Sequence, residues 1–327
     1  MKVSKILEER TGRPFASFEI VPPLKGSDIS KLYNMVTPLM EFAPPFLNFT
    51  AHRDEVEYRP NADGSFTRVV VTKRPSTLAI VSALQKKFNT LEIVPHVICS
   101  GSTKEQNESL LLDLHFLGIE NVMALRGDAQ KGEKYFTPTP GGHAHSSELV
   151  SQIANVNKGV YLDGNMKNPV STSFCIGVGG YPEKHLEAPN LKADIKMLKK
   201  KVDAGADYII TQMFFDNKKF FSFVDKCREA GITVPIIPGL KPVSTLKQVE
   251  TLPQAFSIDL PQEFMSEVNS IKKGATSEED LSRKLYSFGI EWAVMQGKEL
   301  LKNGAPAIHF YTMGKAENVR SIISSLF

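Results

Sequence analysis

Short apolar runs rich in β-branched residues recur along the chain, at 15–21, 46–50, 91–99, 121–125, 173–178, 208–214, 234–238 and 307–311. Each is apolar almost without interruption, the pattern of strands covered on both faces. Amphipathic stretches lie between them. Residues 75–88 place Leu78, Ile80, Val81 and Leu84 ahead of a basic Lys86-Lys87 end, which suits a helix C-terminus. Residues 103–117 carry Leu110, Leu111, Leu114 and Leu117 close to helical spacing. Residues 194–204 set Ile195, Leu198 and Val202 against Lys196, Lys199 and Lys200, and stop at Gly205. Further helices are read where Ser146-Ser147-Glu148 precede an apolar run, and over 218–230 and 321–327.

Eight strands alternating with helices predict an α/β protein with a (β/α)8 TIM-type barrel. A doubly wound open sheet is the competing architecture, and at 327 residues it would usually need fewer strands or a second domain. No break in composition marks a boundary, so 1–327 reads as a single domain. Two segments stand outside the repeat. Residues 54–74, with the turn signal Asn61-Ala62-Asp63-Gly64, are expected to form an insertion, a hairpin excursion after the second strand. Residues 128–145, rich in Gly, Pro and His, read as a loop of the kind on which sites are built.

Composition narrows the function classes. An apolar fraction of 42% supports a sizeable core, and a net charge of +3 is too small to argue for nucleic acid or an anionic membrane. The charged start lacks the apolar stretch of a secretory signal, and no run approaches the roughly 18–20 residues that span a bilayer. Three cysteines (Cys99, Cys175 and Cys227) without a CxxC argue against disulfides and zinc, and the cytoplasm is the expected compartment.

In such barrels the site lies at the C-terminal ends of the strands. That rule gathers Glu19, Thr50, His96, Arg126-Gly127-Asp128, Tyr181, His185, Gln212, Lys241 and Lys315 at one rim. Glu19 interrupts an apolar strand, where a carboxylate is costly unless paired or neutral. It is either a structural ion pair with a lysine or a buried acid whose raised pKa makes it a proton donor. Arg126-Gly127-Asp128 is either a turn with an ion pair or an anion-contacting Arg beside a substrate-contacting Asp; an adhesion role does not suit a cytosolic chain. His96 and His185 read as structural histidines, the commoner case for a lone His, with a ligand role as the alternative. His143 and His145 lack a third metal ligand, so no metal is expected. Gly177-Val178-Gly179-Gly180 fails the dinucleotide fingerprint, because Tyr181-Pro182-Glu183 follows in place of GxGxxG running into a helix.

Taken together, the chain resembles the methylenetetrahydrofolate reductase family over nearly its whole length. The resemblance rests on Ser17-Phe18-Glu19-Ile20-Val21-Pro22-Pro23, Pro95-His96-Val97-Ile98-Cys99 and Asn121-Val122-Met123-Ala124-Leu125-Arg126-Gly127-Asp128. It continues through Tyr181-Pro182-Glu183-Lys184-His185, the most specific stretch, then Ile210-Thr211-Gln212-Met213-Phe214-Phe215-Asp216, Ile237-Pro238-Gly239-Leu240-Lys241 and His309-Phe310-Tyr311-Thr312. It implies a barrel that binds FAD without a Rossmann domain and a ping-pong reaction. NADH or NADPH reduces the flavin, and the flavin reduces 5,10-methylenetetrahydrofolate to 5-methyltetrahydrofolate, serving one-carbon metabolism and methionine supply. Glu19 then matches the general acid that promotes ring opening, and Asp128 an aspartate near flavin and pterin. Thr50, His96, Arg126, Gly127, Tyr181, His185, Asp194 and Lys201 match FAD-contacting positions, Arg126 and Lys201 at the diphosphate. Gln212, Gln248 and Lys315 match substrate contacts. A homo-oligomer is also implied.

The departures lie after strand two, where Thr50-Ala51-His52-Arg53-Asp54 replaces a Gly-containing stretch, at Leu252 in place of a stacking aromatic, and at Lys315 in place of an Arg. Larger members carry a C-terminal domain that senses S-adenosylmethionine. Because the chain ends soon after strand eight, no inhibition by that compound is expected. Two other functions compete: a lyase or aldolase barrel acting on a phosphorylated substrate, and a non-catalytic flavin or folate binder.

Overall fold

The computed structural model describes residues 1–130, 132–133, 135–312 and 317–327. Among the described residues there are ten strands: β1 (Phe15–Ile20), β2 (Phe46–Phe49), β3 (Glu55–Pro60), β4 (Phe66–Val71), β5 (Glu92–Ile98), β6 (Asn121–Leu125), β7 (Cys175–Gly180), β8 (Tyr208–Met213), β9 (Ile236–Leu240) and β10 (Ala307–Tyr311). Eight of them close a parallel barrel in the order β1-β10-β9-β8-β7-β6-β5-β2, while β3 and β4 form a separate antiparallel pair. The (β/α)8 barrel expected from the apolar periodicity is therefore the fold.

The helices are α1 (Val3–Glu9), α2 (Ile29–Val36), α3 (Thr77–Lys87), α4 (Lys104–Phe116), α5 (Ser146–Val156), α6 (Leu191–Asp203), α7 (Asn217–Glu229), α8 (Leu246–Phe256), α9 (Gln262–Gly274), α10 (Glu278–Lys302) and α11 (Glu317–Leu326). Their starts follow local chemistry. Asp28, Ser76, Asn190, Asp216, Thr245 and Ser277 each accept a first-turn amide, and Thr103 forms a capping box with Gln106.

Two layers of core hold the barrel. Ile20, Leu47, Val97, Val122 and Val178 pack outward against the helices, with Leu84, Leu111, Ile153, Leu198 and Phe223 among their partners. A second cluster contains Phe15, Phe46, Val94, Met123, Tyr208 and Ile237 together with Val3, Ile6 and Leu7 of α1. Helix α1, absent from the sequence reading, is tied to the barrel by Val3 N–H donating to Asn121 Oδ1 at 2.7 Å.

Three features depart from the periodicity. The seventh strand runs to Leu240 rather than stopping at Pro238, and the fifth runs to Gly180 rather than Val178. Their glycines continue the strands because neighbours fill the space a side chain would take. A β-carbon at Gly239 would lie 2.6 Å from Tyr311 Cε2, and one at Gly180 would lie 2.8 Å from Ile209 Cγ2. Second, β9 is followed by three helices, none of which the sequence reading placed. They build a satellite core of Val249, Leu252, Phe264, Leu285 and Phe288. Third, the excursion at 54–74 is a hairpin paired in register from Glu55↔Val71 to Pro60↔Phe66.

Helix α10 meets the β9–α8 loop at Gly289, where a β-carbon would lie 1.7 Å from the Val243 carbonyl oxygen. Alanine gains about 1 kcal/mol over glycine in a helix interior. Overpacking costs about 1–3 kcal/mol, and more where backbone must shift. Because the obstacle is backbone, Gly289→Ala is expected to destabilise by about 2 kcal/mol net. A urea midpoint at or above that of the wild type would show that the loop yields freely.

Candidate active site

Glu19 sits one residue before the end of β1, in register with Asn48 on β2 and Tyr311 on β10. Its carbonyl accepts the Thr312 hydroxyl at 2.9 Å. Its carboxylate oxygen Oε2 lies 3.5 Å from His96 Nε2, and 19% of the side chain remains open to solvent. His96 Nε2 lies 3.5 Å from Asn48 Nδ2 as well. Burial pushes the Glu19 carboxyl up to about 8 and the His96 imidazole down to about 3. At neutral pH the contact is therefore a protonated acid beside a neutral imidazole, not an ion pair. Among the described residues no lysine pairs with Glu19. His309 continues the polar interior. Its Nδ1 lies 2.9 Å from Ser17 Oγ, and burial lowers its pKa to about 3.

A second group gathers where β6 and β7 end. Lys201 Nζ reaches inward from α6 to donate to the Gly179 carbonyl at 2.9 Å and lies 5.8 Å from the Tyr181 ring centroid. The Tyr181 and His185 rings meet edge to face at 4.8 Å. Asp194 Oδ2 accepts the His185 amide at 2.8 Å, so the first turn of α6 holds the 181–185 loop. Burial, partly opposed by Asp194, lowers the Lys201 ammonium to about 8. Burial also lowers His185 and raises Tyr181 to about 12. A buried ammonium whose hydrogen-bond acceptor is a neutral carbonyl is suited to receive an anion. Arg126 forks onto Glu187 at 2.5 and 2.9 Å and lies 4.7 Å from the Phe136 ring centroid. An anion arriving here would exchange with the Glu187 carboxylate.

Asp128 follows Gly127, whose φ of +82° and 2.7 Å approach to Ser100 Cβ leave no room for a side chain. Ser100 Oγ donates to the Asp128 carbonyl at 2.9 Å, leaving the exposed carboxylate at the rim. Thr50 Oγ1 lies 2.9 Å from His52 Nε2. Gln212, near the end of β8, is half-buried, and its Oε1 accepts the Met213 amide at 2.9 Å. Gln248 Oε1 is taken by the Ser244 amide at 2.8 Å and the Ser244 hydroxyl at 3.1 Å, which ties it to the start of α8. Leu252 is buried in the satellite core and presents no stacking face. Lys315 lies outside the described residues. His143 Nε2 contacts Gln152 Oε1 at 2.7 Å, and the described residues contain no group of three metal-binding side chains.

Sequence reasoning missed Asn48, Arg53, Ser100, Glu183 and Glu187. The last was invisible as a partner because Arg126 and Glu187 are 61 positions apart. Glu183 stood inside the singled-out 181–185 motif without a role. Its Oε2 accepts Lys219 Nζ at 2.5 Å and the Asp259 amide at 2.9 Å, fastening that loop to α7 and to the α8–α9 connection.

Comparison with known proteins bears on this geometry. The model of the methylenetetrahydrofolate reductase family matches residues 2–327. The 5,10-methylenetetrahydrofolate reductase of Escherichia coli is 30% identical over 324 residues, covering 99% of this chain and 94% of that protein. Methylenetetrahydrofolate reductase (NADH) 1 of Arabidopsis thaliana is 30% identical over 334 residues, covering 99% of this chain and 50% of its own length. The chain thus spans about half the length of the plant and yeast relatives it matches. Among solved structures, an uncharacterized protein from Clostridium thermocellum that binds two copies of 5-methyl-5,6,7,8-tetrahydrofolic acid shares the fold, with a TM-score of 0.51, 13% identity, and coverage of 98% of this chain and 97% of that one. With a family match that runs from the second residue to the last, the chain belongs to the methylenetetrahydrofolate reductase family.

Proposed function

We propose that the protein reduces 5,10-methylenetetrahydrofolate to 5-methyltetrahydrofolate, using FAD and a nicotinamide donor, NADH or NADPH, in a ping-pong cycle. The observation that carries this reading is Glu19, a carboxyl at the rim that burial keeps protonated up to about pH 8. The family relation supplies the reaction in which such an acid has work to do.

The residues present fit FAD. Lys201, a buried cation hydrogen-bonded to a neutral carbonyl, and Arg126, in exchange for its Glu187 partner, would hold the diphosphate. Thr50, His96, Gly127, Tyr181, His185 and Asp194 would form the rest of the cofactor's surroundings, with Asp128 between cofactor and substrate. FAD, when bound, would take up hydride from the nicotinamide and pass it to the methylene carbon of the folate.

Glu19 holds the proton needed to open the folate's five-membered ring, giving it to the ring nitrogen that leaves the methylene carbon. The electron pair of the broken C–N bond stays on that nitrogen. Burial keeps Glu19 from ionising, and His96, neutral at 3.5 Å, sets no cation beside it that would favour the carboxylate. The exposed edge of Glu19 lets water restore the proton after turnover. Gln212, Gln248 and Lys315 are proposed to contact the folate. We place the enzyme in one-carbon metabolism, as a cytoplasmic homo-oligomer; no described helix is long and apolar enough to cross a membrane.

The test is the visible spectrum of the FAD-loaded protein under anaerobic conditions. Bleaching by NADH or NADPH, followed by recovery of the oxidised spectrum on adding methylenetetrahydrofolate, is the expected result. A protein that cannot be loaded with FAD, or a flavin that neither donor bleaches, would overturn the proposal.

A further inference from the structure

The hairpin of β3 and β4 is anchored at its roots and bare at its tip. Tyr58 and Phe66 are each 65% exposed, so little of its outer part packs on the barrel. An isolated two-stranded hairpin is marginal in water, and the roots supply what fixes this one. On the outgoing side, Arg53 Nη1 donates to Ser100 Oγ at 3.2 Å and Nη2 to Gln130 Oε1 at 3.2 Å. Ser100 Oγ passes the contact on to the Asp128 carbonyl at 2.9 Å. Gly101 makes room, since a β-carbon there would lie 2.8 Å from Arg53 Cβ. On the returning side, the Arg74 guanidinium donates to the Pro22 carbonyl, and the Lys25 amide donates to the Lys73 carbonyl at 2.7 Å. The Lys73 ammonium pairs with Glu57 across the hairpin. Pro22 lies three residues beyond Glu19.

Each root therefore grips a segment next to one of the two acids: the loop that carries Asp128, and the stretch that follows Glu19 beyond the end of β1. We propose that the hairpin is a brace for the rim, with Arg53 a positioning residue for Asp128 and Arg74 a positioning residue for Glu19. The proposal rests on the reading of the site given above. The fork of Arg53 spans two loops at once, which a lysine cannot do. Residues 59–67 have no part in the brace.

Four variants of the FAD-loaded enzyme separate the roles: Arg53→Met, Arg53→Lys, Arg74→Met, and a shortened hairpin in which Asn-Gly replaces 59–67 between the register partners Tyr58 and Arg68. The two half-reactions are followed separately by stopped flow across pH, and hydrogen exchange is read over 22–28 and 126–130. Arg74→Met is expected to slow flavin reoxidation by the folate about tenfold and shift its alkaline limb, with flavin reduction by the nicotinamide within about twofold of wild type. Arg53→Met is expected to slow both half-reactions about tenfold, with Arg53→Lys recovering less than half of the loss. Exchange should quicken over 22–28 in Arg74→Met and over 126–130 in Arg53→Met, and the shortened hairpin should match the wild type throughout. Arginine variants indistinguishable from the wild type, or a shortened hairpin that loses as much as they do, would overturn the brace. Should the wild type itself fail to turn over, the functional reading falls, and the exchange pattern alone still decides whether the arginines hold these loops.

Discussion

Glu19→Gln is expected to remove folate reduction while leaving reduction of the flavin by the nicotinamide unchanged. General acid catalysis contributes about 10²–10⁴-fold, so flavin reoxidation by methylenetetrahydrofolate should slow by at least about a hundredfold. The first half-reaction needs no proton from Glu19 and should keep its rate. The pH dependence carries the sign. Burial places the carboxyl near 8, so the wild-type folate half-reaction should hold up to that pH and fall above it as the proton is lost. The same shift acts on stability. Between the unfolded value near 4.5 and the folded value near 8, the native state holds a proton that the unfolded chain has released. Stability contributed by this group is thus full below the first value and lost as pH rises through the second. Glutamine cannot ionise, so the variant should lose less stability than the wild type between pH 6 and about 9. Loss of both half-reactions together would assign Glu19 to flavin binding instead. Unaltered folate reduction would remove it from the chemistry.

The barrel was legible because its strands are buried on both faces and so read as unbroken apolar runs, from Phe46–Phe49 to Ala307–Tyr311. What escaped has definite physical reasons. Helices α8, α9 and α10 fill the region between β9 and β10, which the strand-then-helix pattern treated as a single connection, and a proline at position 253 lies inside α8. The ends of β7 and β9 were cut short because glycine reads as a breaker, whereas here Gly180 admits the Ile209 side chain and Gly239 the Tyr311 ring. At the site, the residue types were visible but their pairings were not. Glu19 stood out as a carboxylate in an apolar strand, yet nothing in the sequence set a neutral His96 beside it rather than a lysine. Arg126 was visible as an anion contact, but the anion it meets here is Glu187, from a loop far along the chain. Asp128 was legible as a rim carboxylate; the Arg53 and Ser100 contacts that hold its loop depend on a tertiary meeting of three strand ends.

Lys201→Met should change cofactor binding and protein stability in opposite directions. The ammonium is buried, and its pKa falls from 10.5 to about 8, so the folded state without cofactor resists the charge that the residue carries at neutral pH. The unfolded chain binds more protons than the native one between those two values, so stability from this group rises with pH across that window. At pH 7 the charged form therefore costs the fold of the order of 3 kcal/mol. Against it stands the 2.9 Å bond to the Gly179 carbonyl, whose net worth is about 1 kcal/mol. The desolvation cost is the larger, and methionine fills a similar volume without it. The cofactor-free variant should melt a few degrees higher than the cofactor-free wild type. FAD should bind about a hundredfold more weakly, since truncating one partner of a buried charge-assisted contact costs about 2–5 kcal/mol. Fluorescence titration of both proteins with FAD, alongside thermal melts in its absence, measures the two effects independently. A gain in stability with no loss of affinity would make Lys201 a structural tie to β7 and move the diphosphate to Arg126. A loss of affinity with a matching loss of stability would mean that the Gly179 contact, rather than the buried charge, is what the lysine contributes.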